Sequence, residues 1–195
     1  MKKVALLFIL VSSMIAVTAA PILLSANKPV TGSSYYDNRF IFERVTDGVL
    51  NDYDTGDYCS FWLTPSGQTG YVIIDLLDSY MVSKFEVQNT HNRSHNDRAT
   101  EDFRISLSTD NVNYTTVVDD VLPVTFSSLP IYTYNINETE ARYIRFDIDK
   151  FYSSSGGINE LMIYGTEMNI PEVSNLILFI ICLFGCRFVR EKSRQ

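Results

Sequence analysis

Cysteine is scarce in this chain, with three among 195 residues. Cys182 and Cys186 lie close to the C-terminus, so Cys59 stands alone in the remainder and no disulfide framework can staple a small fold together. With no histidine near it in sequence to activate a thiolate, Cys59 reads as a small buried hydrophobe. Histidine is rarer still, at two residues, and tryptophan occurs once. Proline and glycine are modest (six and nine), while 46% of residues are hydrophobic and 20% charged, which excludes a disordered or low-complexity chain. Outside the termini no segment keeps a helical period for ten residues. A Gly-x-Ser-x-Gly elbow, a His-Glu-x-x-His motif and a glycine-rich phosphate loop are all missing, so the commonest hydrolase, zinc-protease and nucleotide chemistries have no carrier.

Positive charge is the rarer sign. Between Asn27 and Ile170 ten Lys and Arg face 21 Asp and Glu, a net charge of −11. Such a body is repelled by nucleic acid and by anionic head groups, and attracts metal cations.

What is abundant is aromatic and β-branched. Twelve Tyr and twelve Phe favour pleated surfaces. Residues 103–108 (Phe-Arg-Ile-Ser-Leu-Ser) alternate apolar with polar, as a half-buried strand must, and 83–89, 132–136 and 143–148 follow the same rule. Residues 71–76, 114–118 and 161–165 complete the set, with turn chemistry such as Thr109-Asp110-Asn111 between runs. About eight antiparallel strands with short connections predict an all-β sandwich, of the jelly-roll or immunoglobulin type.

The two ends differ from this body. Lys2 and Lys3, an apolar run over residues 4–10 and small residues up to Ala19 and Ala20 have the layout of a signal peptide, with Val17 and Ala19 preceding the expected cut. The predicted organisation is therefore a leader at 1–20, a domain at 25–167 and a C-terminal segment at 170–195. That last segment carries Pro171-Glu172-Val173-Ser174, an apolar run from Leu176 to Cys186 that predicts a hydrophobic helix, and then Arg187, Arg190, Lys192 and Arg194. Cations after the apolar run keep the tail cytoplasmic and argue against a glycolipid-anchor signal. The box, apolar run and basic terminus resemble the PEP-CTERM sorting signal of exopolysaccharide-producing Gram-negative bacteria. The resemblance implies export, processing by an exosortase and a place in the cell envelope or matrix; a plain membrane anchor is the other reading of the same residues.

The body itself resembles the discoidin, or coagulation factor five/eight type C, domain and the related galactose-binding-like modules. Residues 26–31 (Ala-Asn-Lys-Pro-Val-Thr), Val45-Thr46-Asp47-Gly48, Phe61-Trp62 before 71–76, 103–110, 141–146 and 157–165 carry the likeness through their order and spacing. The stretch from Asp47 to Trp62 is longer than the family usually has, and the disulfide of many animal members is lacking. The resemblance implies a jelly roll and an exported, non-catalytic carbohydrate-binding or adhesion module with a glycan partner. A matrix protein without a ligand, and an accessory domain of a polysaccharide-active enzyme, are the alternatives.

Two constellations carry candidate chemistry. Asp47, Asn51, Asp52, Asp54 and Asp57 place five oxygen-bearing side chains in eleven residues, and hard cations take six to eight oxygens. The resemblance implies a structural calcium held by Asp47, Asn51, Ser60 and Glu160, with Asp52, Asp54 and Asp57 as rivals for the second position; otherwise Asp47 simply caps its own turn. The second constellation is residues 90–98, where both histidines gather with two arginines. His91, Asn92, Arg93, His95, Asn96 and Arg98 form the candidate ligand set. Planar Arg and Asn groups suit vicinal hydroxyls, and Tyr35, Tyr36, Tyr53, Tyr58 or Tyr152 can cover the C–H face of a sugar. Against this, Arg98 paired with Glu101 or Asp102 would merely hold the loop. A zinc site at His91 and His95 lacks a third ligand in sequence.

Overall fold

The computed structural model describes residues 19–124 and 127–168. Ten strands follow in order: β1 (Ile22–Leu23), β2 (Val30–Gly32), β3 (Trp62–Leu63), β4 (Gly70–Asn89), β5 (Arg98–Thr100), β6 (Asp102–Ser108), β7 (Thr115–Val121), β8 (Ile131–Ile148), β9 (Phe151–Ser153) and β10 (Gly157–Glu167). Eight of them join in one antiparallel system, and β5 with β9 makes a separate ribbon. The all-β expectation holds. Residues 1–18 of the expected leader and the C-terminal segment at 170–195 lie outside the described residues, and among those described no helix is long and apolar enough to cross a membrane.

One expectation changes. Residues 71–76 and 83–89 are parts of a single strand, β4, and 132–136 and 143–148 are parts of β8. These two strands pair from Gly70 opposite Ile148 to Gln88 opposite Ile131, with register shifts between Asp75 and Tyr80 and between Val82 and Lys84. Leu77 sits at the first break with φ 71°, a left-handed conformation that interrupts the pleat. The two halves of β4 on either side of the break take different further partners. The first half of β4 pairs with β2 and with the end of β8, which also carries β6 and then β7. The second half pairs with β10, to which β1 and β3 add.

The alternating inward residues of both halves meet in one core. Val72, Ile74, Leu76, Val82, Phe85 and Val87 from β4 pack with Phe103 and Ile105 of β6 and with Ile144 and Phe146 of β8. The Phe103 and Phe146 rings stack at 5.2 Å. Trp62 is fully buried among them, and its indole N–H donates to the Ser34 carbonyl at 3.1 Å. A satellite cluster gathers Phe40, Cys59, Phe61 and Leu63, and burial pushes the Cys59 thiol pKa up.

Asn89 ends β4 and fixes where the chain leaves it. Its buried side chain accepts from the Thr90 and Thr100 N–H groups (3.0 and 3.1 Å) and donates to the Thr100 carbonyl at 2.8 Å. It thereby clamps both ends of the 90–97 loop to one point. Replacing Asn89 by Ala strands buried backbone groups, each costing about 1–3 kcal/mol. Urea unfolding of Asn89→Ala should therefore show a loss of roughly 2–4 kcal/mol with unchanged slope, and a loss no larger than that of a surface substitution would contradict the clamp.

Candidate functional site

The loop that Asn89 clamps is built from unusual backbone. Asn92, Arg93 and Asn96 all have positive φ (60°, 60° and 52°), a region that Asn tolerates and Arg does not favour. A short 3-10 turn spans Arg93–His95, with the His95 N–H donating to the Asn92 carbonyl at 3.1 Å. Inside the loop Asn92 is buried, and its amide donates to Asp97 at 2.6 Å and accepts from Arg93 at 3.1 Å.

The loop borders an open concavity of about 190 Å³, lined by Tyr36, Arg39 and Phe40 on one side and by Asn92, Arg93, His95, Asp97 and Arg98 on the other. The Arg98 guanidinium carbon lies over the Tyr36 ring, 4.1 Å from its centre; the Arg98 side chain is 11% exposed while Tyr36 stays 42% exposed. The expected partners of Arg98 are taken or absent. Lys150 pairs with Glu101, and the nearest carboxylate to Arg98 is Asp97 at 3.9 Å. Arg39 makes a two-pronged pair with Asp37 (3.2 and 2.9 Å), which holds that carboxyl below the usual range, and it caps the Phe40 ring at 5.0 Å.

The six candidate ligand residues thus divide. Asn92, Arg93, His95 and Arg98 line the concavity. His91 turns elsewhere: its Nδ1 is 2.5 Å from the Arg93 carbonyl and 3.8 Å from Asp52. Asn96 is exposed on the loop's outer side, its amide 3.4 Å from the Ser94 carbonyl. Among the aromatic candidates Tyr36 reaches the site, whereas Tyr35 packs on Phe42 and Tyr152 lies in β9 rather than in a loop. Arg39 and Phe40 were not expected. The Tyr-Tyr-Asp-Asn-Arg-Phe run at 35–40 is the sequence signal that could have found them.

The calcium candidates also come together in part. Asp47 follows the 3-10 turn Phe42–Thr46; its Oδ1 accepts from the Val49 N–H at 2.9 Å and its Oδ2 from the Tyr58 hydroxyl at 2.8 Å. Arg44 lies 3.8 Å from the same oxygen. Glu160, on β10, is 2% exposed and receives one backbone N–H, from Gly48 at 3.3 Å. Burial, reinforced by the Asp47 charge, pushes its pKa up to about 8. Ser60 and Asn51 meet each other: the Ser60 hydroxyl donates to the Asn51 carbonyl at 2.7 Å and accepts the Tyr53 N–H at 2.8 Å. The Asn51 N–H reaches Gln88, which sits opposite Glu160 across β4 and β10. The rivals Asp52 and Asp54 serve the other loop. Asp52 accepts the His91 and Arg93 N–H groups, and Asp54 pairs with the Arg93 guanidinium. Among the described residues no three His, Cys, Asp or Glu side chains converge as a zinc site requires. A hard-cation site is a different matter, because hydroxyl and carbonyl oxygens complete it. Two of the four expected donors lie together, Glu160 as a nearly solvent-free carboxylate beside Asp47 with one N–H to compensate its charge, while Asn51 and Ser60 bond to each other.

No curated protein matches the sequence. Solved structures do. A Clostridium perfringens module, CpGH89CBM32-5, in complex with GalNAc-β-1,3-galactose, has a TM-score of 0.60 at 17% identity, covering 73% of this chain and 99% of that one. The family 32 module of C. perfringens NanJ, in complex with galactose, gives 0.60 at 14% identity over 74% and 99%. Chitosan-binding module 1 of a Paenibacillus sp. IK-5 chitosanase/glucanase gives 0.58 at 19% over 74% and 99%. At these identities the likeness is one of fold. The model of the F5/8 type C domain matches residues 29–162, most of the described structure, and the chain belongs to that family.

Proposed function

We propose that this chain is an exported, non-catalytic carbohydrate-binding module that holds a glycan in the concavity between residues 36–40 and the 91–98 loop. The observation that carries the reading is the Arg98 guanidinium placed over the Tyr36 ring. Tyr36 keeps an exposed aromatic surface beside the guanidinium, and Arg98, whose enclosed Nε has no partner, has no carboxylate within hydrogen-bonding distance to neutralise it. His95 and Asp97 border the same space. A catalytic role has no support in the carboxylates: Glu160 is the one with a strongly raised pKa, and it is buried away from any substrate. Individual sugar contacts are worth about 1 kcal/mol net, so retention on a polymer comes from many copies.

Affinity electrophoresis through gels carrying galactan, alginate or chitosan tests this directly. The parent should be retarded by at least one polymer, and Arg98→Ala or Tyr36→Ala should migrate freely while keeping a thermal midpoint close to the parent's. Equal retardation of parent and both variants would move the site elsewhere.

The reading includes a structural calcium at Asp47 and Glu160, with Asn51 and Ser60 supplying further oxygens. A cation there would offset the Glu160 charge and tie the Gly48 turn to β10. Without the ion, Glu160 holds a proton more tightly in the folded chain (pKa about 8) than in the unfolded one (the ordinary 4.5). Its stabilising contribution is full below about 4.5 and is lost as pH rises toward 8, on the order of 3–5 kcal/mol in all. Chelated protein should therefore lose thermal stability between pH 5 and 8, and Glu160→Gln should flatten that slope. Saturating calcium should restore the midpoint at pH 8, by about 2.7 kcal/mol at a hundredfold excess over Kd. Identical melting curves with calcium and with chelator at pH 8 would remove the metal from the account.

Export and sorting complete the proposal: the leader and the 170–195 segment direct the domain to the envelope or matrix of a Gram-negative bacterium, through an exosortase-type enzyme. Intact mass of the native protein should lack both ends; a mass that includes Gln195 would leave a plain anchor.

A further inference from the structure

Asp52 and Asp54, in the acidic segment at 51–57, hold the neighbouring loop rather than a ligand or a metal. Asp52 is nearly out of water, its side chain 3% exposed. A carboxylate in that position requires partners, and it has them 39 and 41 residues away. Its Oδ2 accepts the His91 N–H at 3.1 Å and the Arg93 N–H at 2.8 Å. Its Oδ1 accepts the Asn159 side-chain amide at 3.3 Å, which anchors the carboxylate to β10. The two loop amides flank Asn92, and both Asn92 and Arg93 adopt the left-handed backbone. For Arg93 that conformation is intrinsically unfavourable, so something must hold it there. Asp54 holds the other end of the same residue. It pairs with the Arg93 guanidinium, which also donates to Asn92 at 3.1 Å. Neither aspartate borders the concavity.

We infer that Asp52 and Asp54 are positioning residues for the ligand loop, Asp52 locking the backbone of His91–Arg93 and Asp54 aiming the Arg93 side chain. The inference rests on the reading that this loop binds a glycan. Its physical content is pre-organisation: a loop already held in its bound shape does not lose that freedom on binding.

The test uses the full chain, with D52A, D52N and D54A, and two independent readouts. Amide hydrogen exchange reports the loop whether or not a glycan binds, and gel retardation by galactan, alginate and chitosan reports affinity. D52A should speed exchange at the His91 and Arg93 amides by about tenfold or more and weaken retardation by a similar factor, since each lost bond is charge-assisted. D52N keeps an acceptor oxygen and should recover most of both effects. D54A should weaken retardation while leaving those two amides as protected as in the parent. Should D52A fail to fold, D54A still decides: retardation of a folded D54A equal to the parent's would overturn the inference. So would a folded D52A with parental exchange. If no polymer retards even the parent, the glycan reading fails on these ligands, and the exchange data alone still confirm or reject the brace.

Discussion

The ladder between β4 and β8 is the constraint from which the rest follows. The two strands pair along almost their whole length, and their register breaks near Leu77. Every other long pairing is added to one of these two strands: β2 and β10 to β4, and β6, with β7 beyond it, to β8. The exit of β4 therefore fixes one end of the molecule. Asn89 sits at that exit, and the loop it clamps is the one that borders the concavity. Position of the site is thus a consequence of strand length and of one buried amide.

Charge adds a second layer. Nearly every cation of the acidic body is matched with a carboxylate: Arg39 with Asp37, Arg104 with Asp149, Arg142 with Asp75, Arg145 with Asp147 and Lys150 with Glu101. Such exposed pairs contribute little stability singly. Their effect is to leave few strong donors for a ligand. Arg98 differs because its closest carboxylate is 3.9 Å away and its guanidinium sits over an aromatic ring. The carboxylates show the converse pattern. Glu160 is enclosed with Asp47 as neighbour and one N–H as partner, which is why burial dominates its titration.

Much of this was legible in the sequence. Period-two alternation at 103–108 and 143–148 located strands correctly, because one face of each is buried and the other wet. That 71–76 and 83–89 form one strand was not legible: the left-handed Leu77 leaves no mark that a turn would not also leave. The gathering of His and Arg at 91–98 marked the loop that borders the concavity. The roles within it were hidden. His91 turns toward Asp52, and Asp52 and Asp54 looked like metal ligands, because their partners lie about forty residues away and only the fold reveals them. Arg39 and Phe40 escaped for the same reason, being brought to the site by a separate loop.

The central claim is that ligand enters between residues 36–40 and 91–98. Titration of the 15N-labelled protein with a soluble oligosaccharide that its retaining polymer yields, followed by amide chemical shifts, addresses it most directly. The account predicts saturable shifts confined to Tyr36–Phe40, Asn92–Arg98 and the adjoining Ser153–Ser155, with the outer face of β6, β7 and β8 unmoved. Shifts centred on that sheet face, or none in the two loops at saturation, would contradict it.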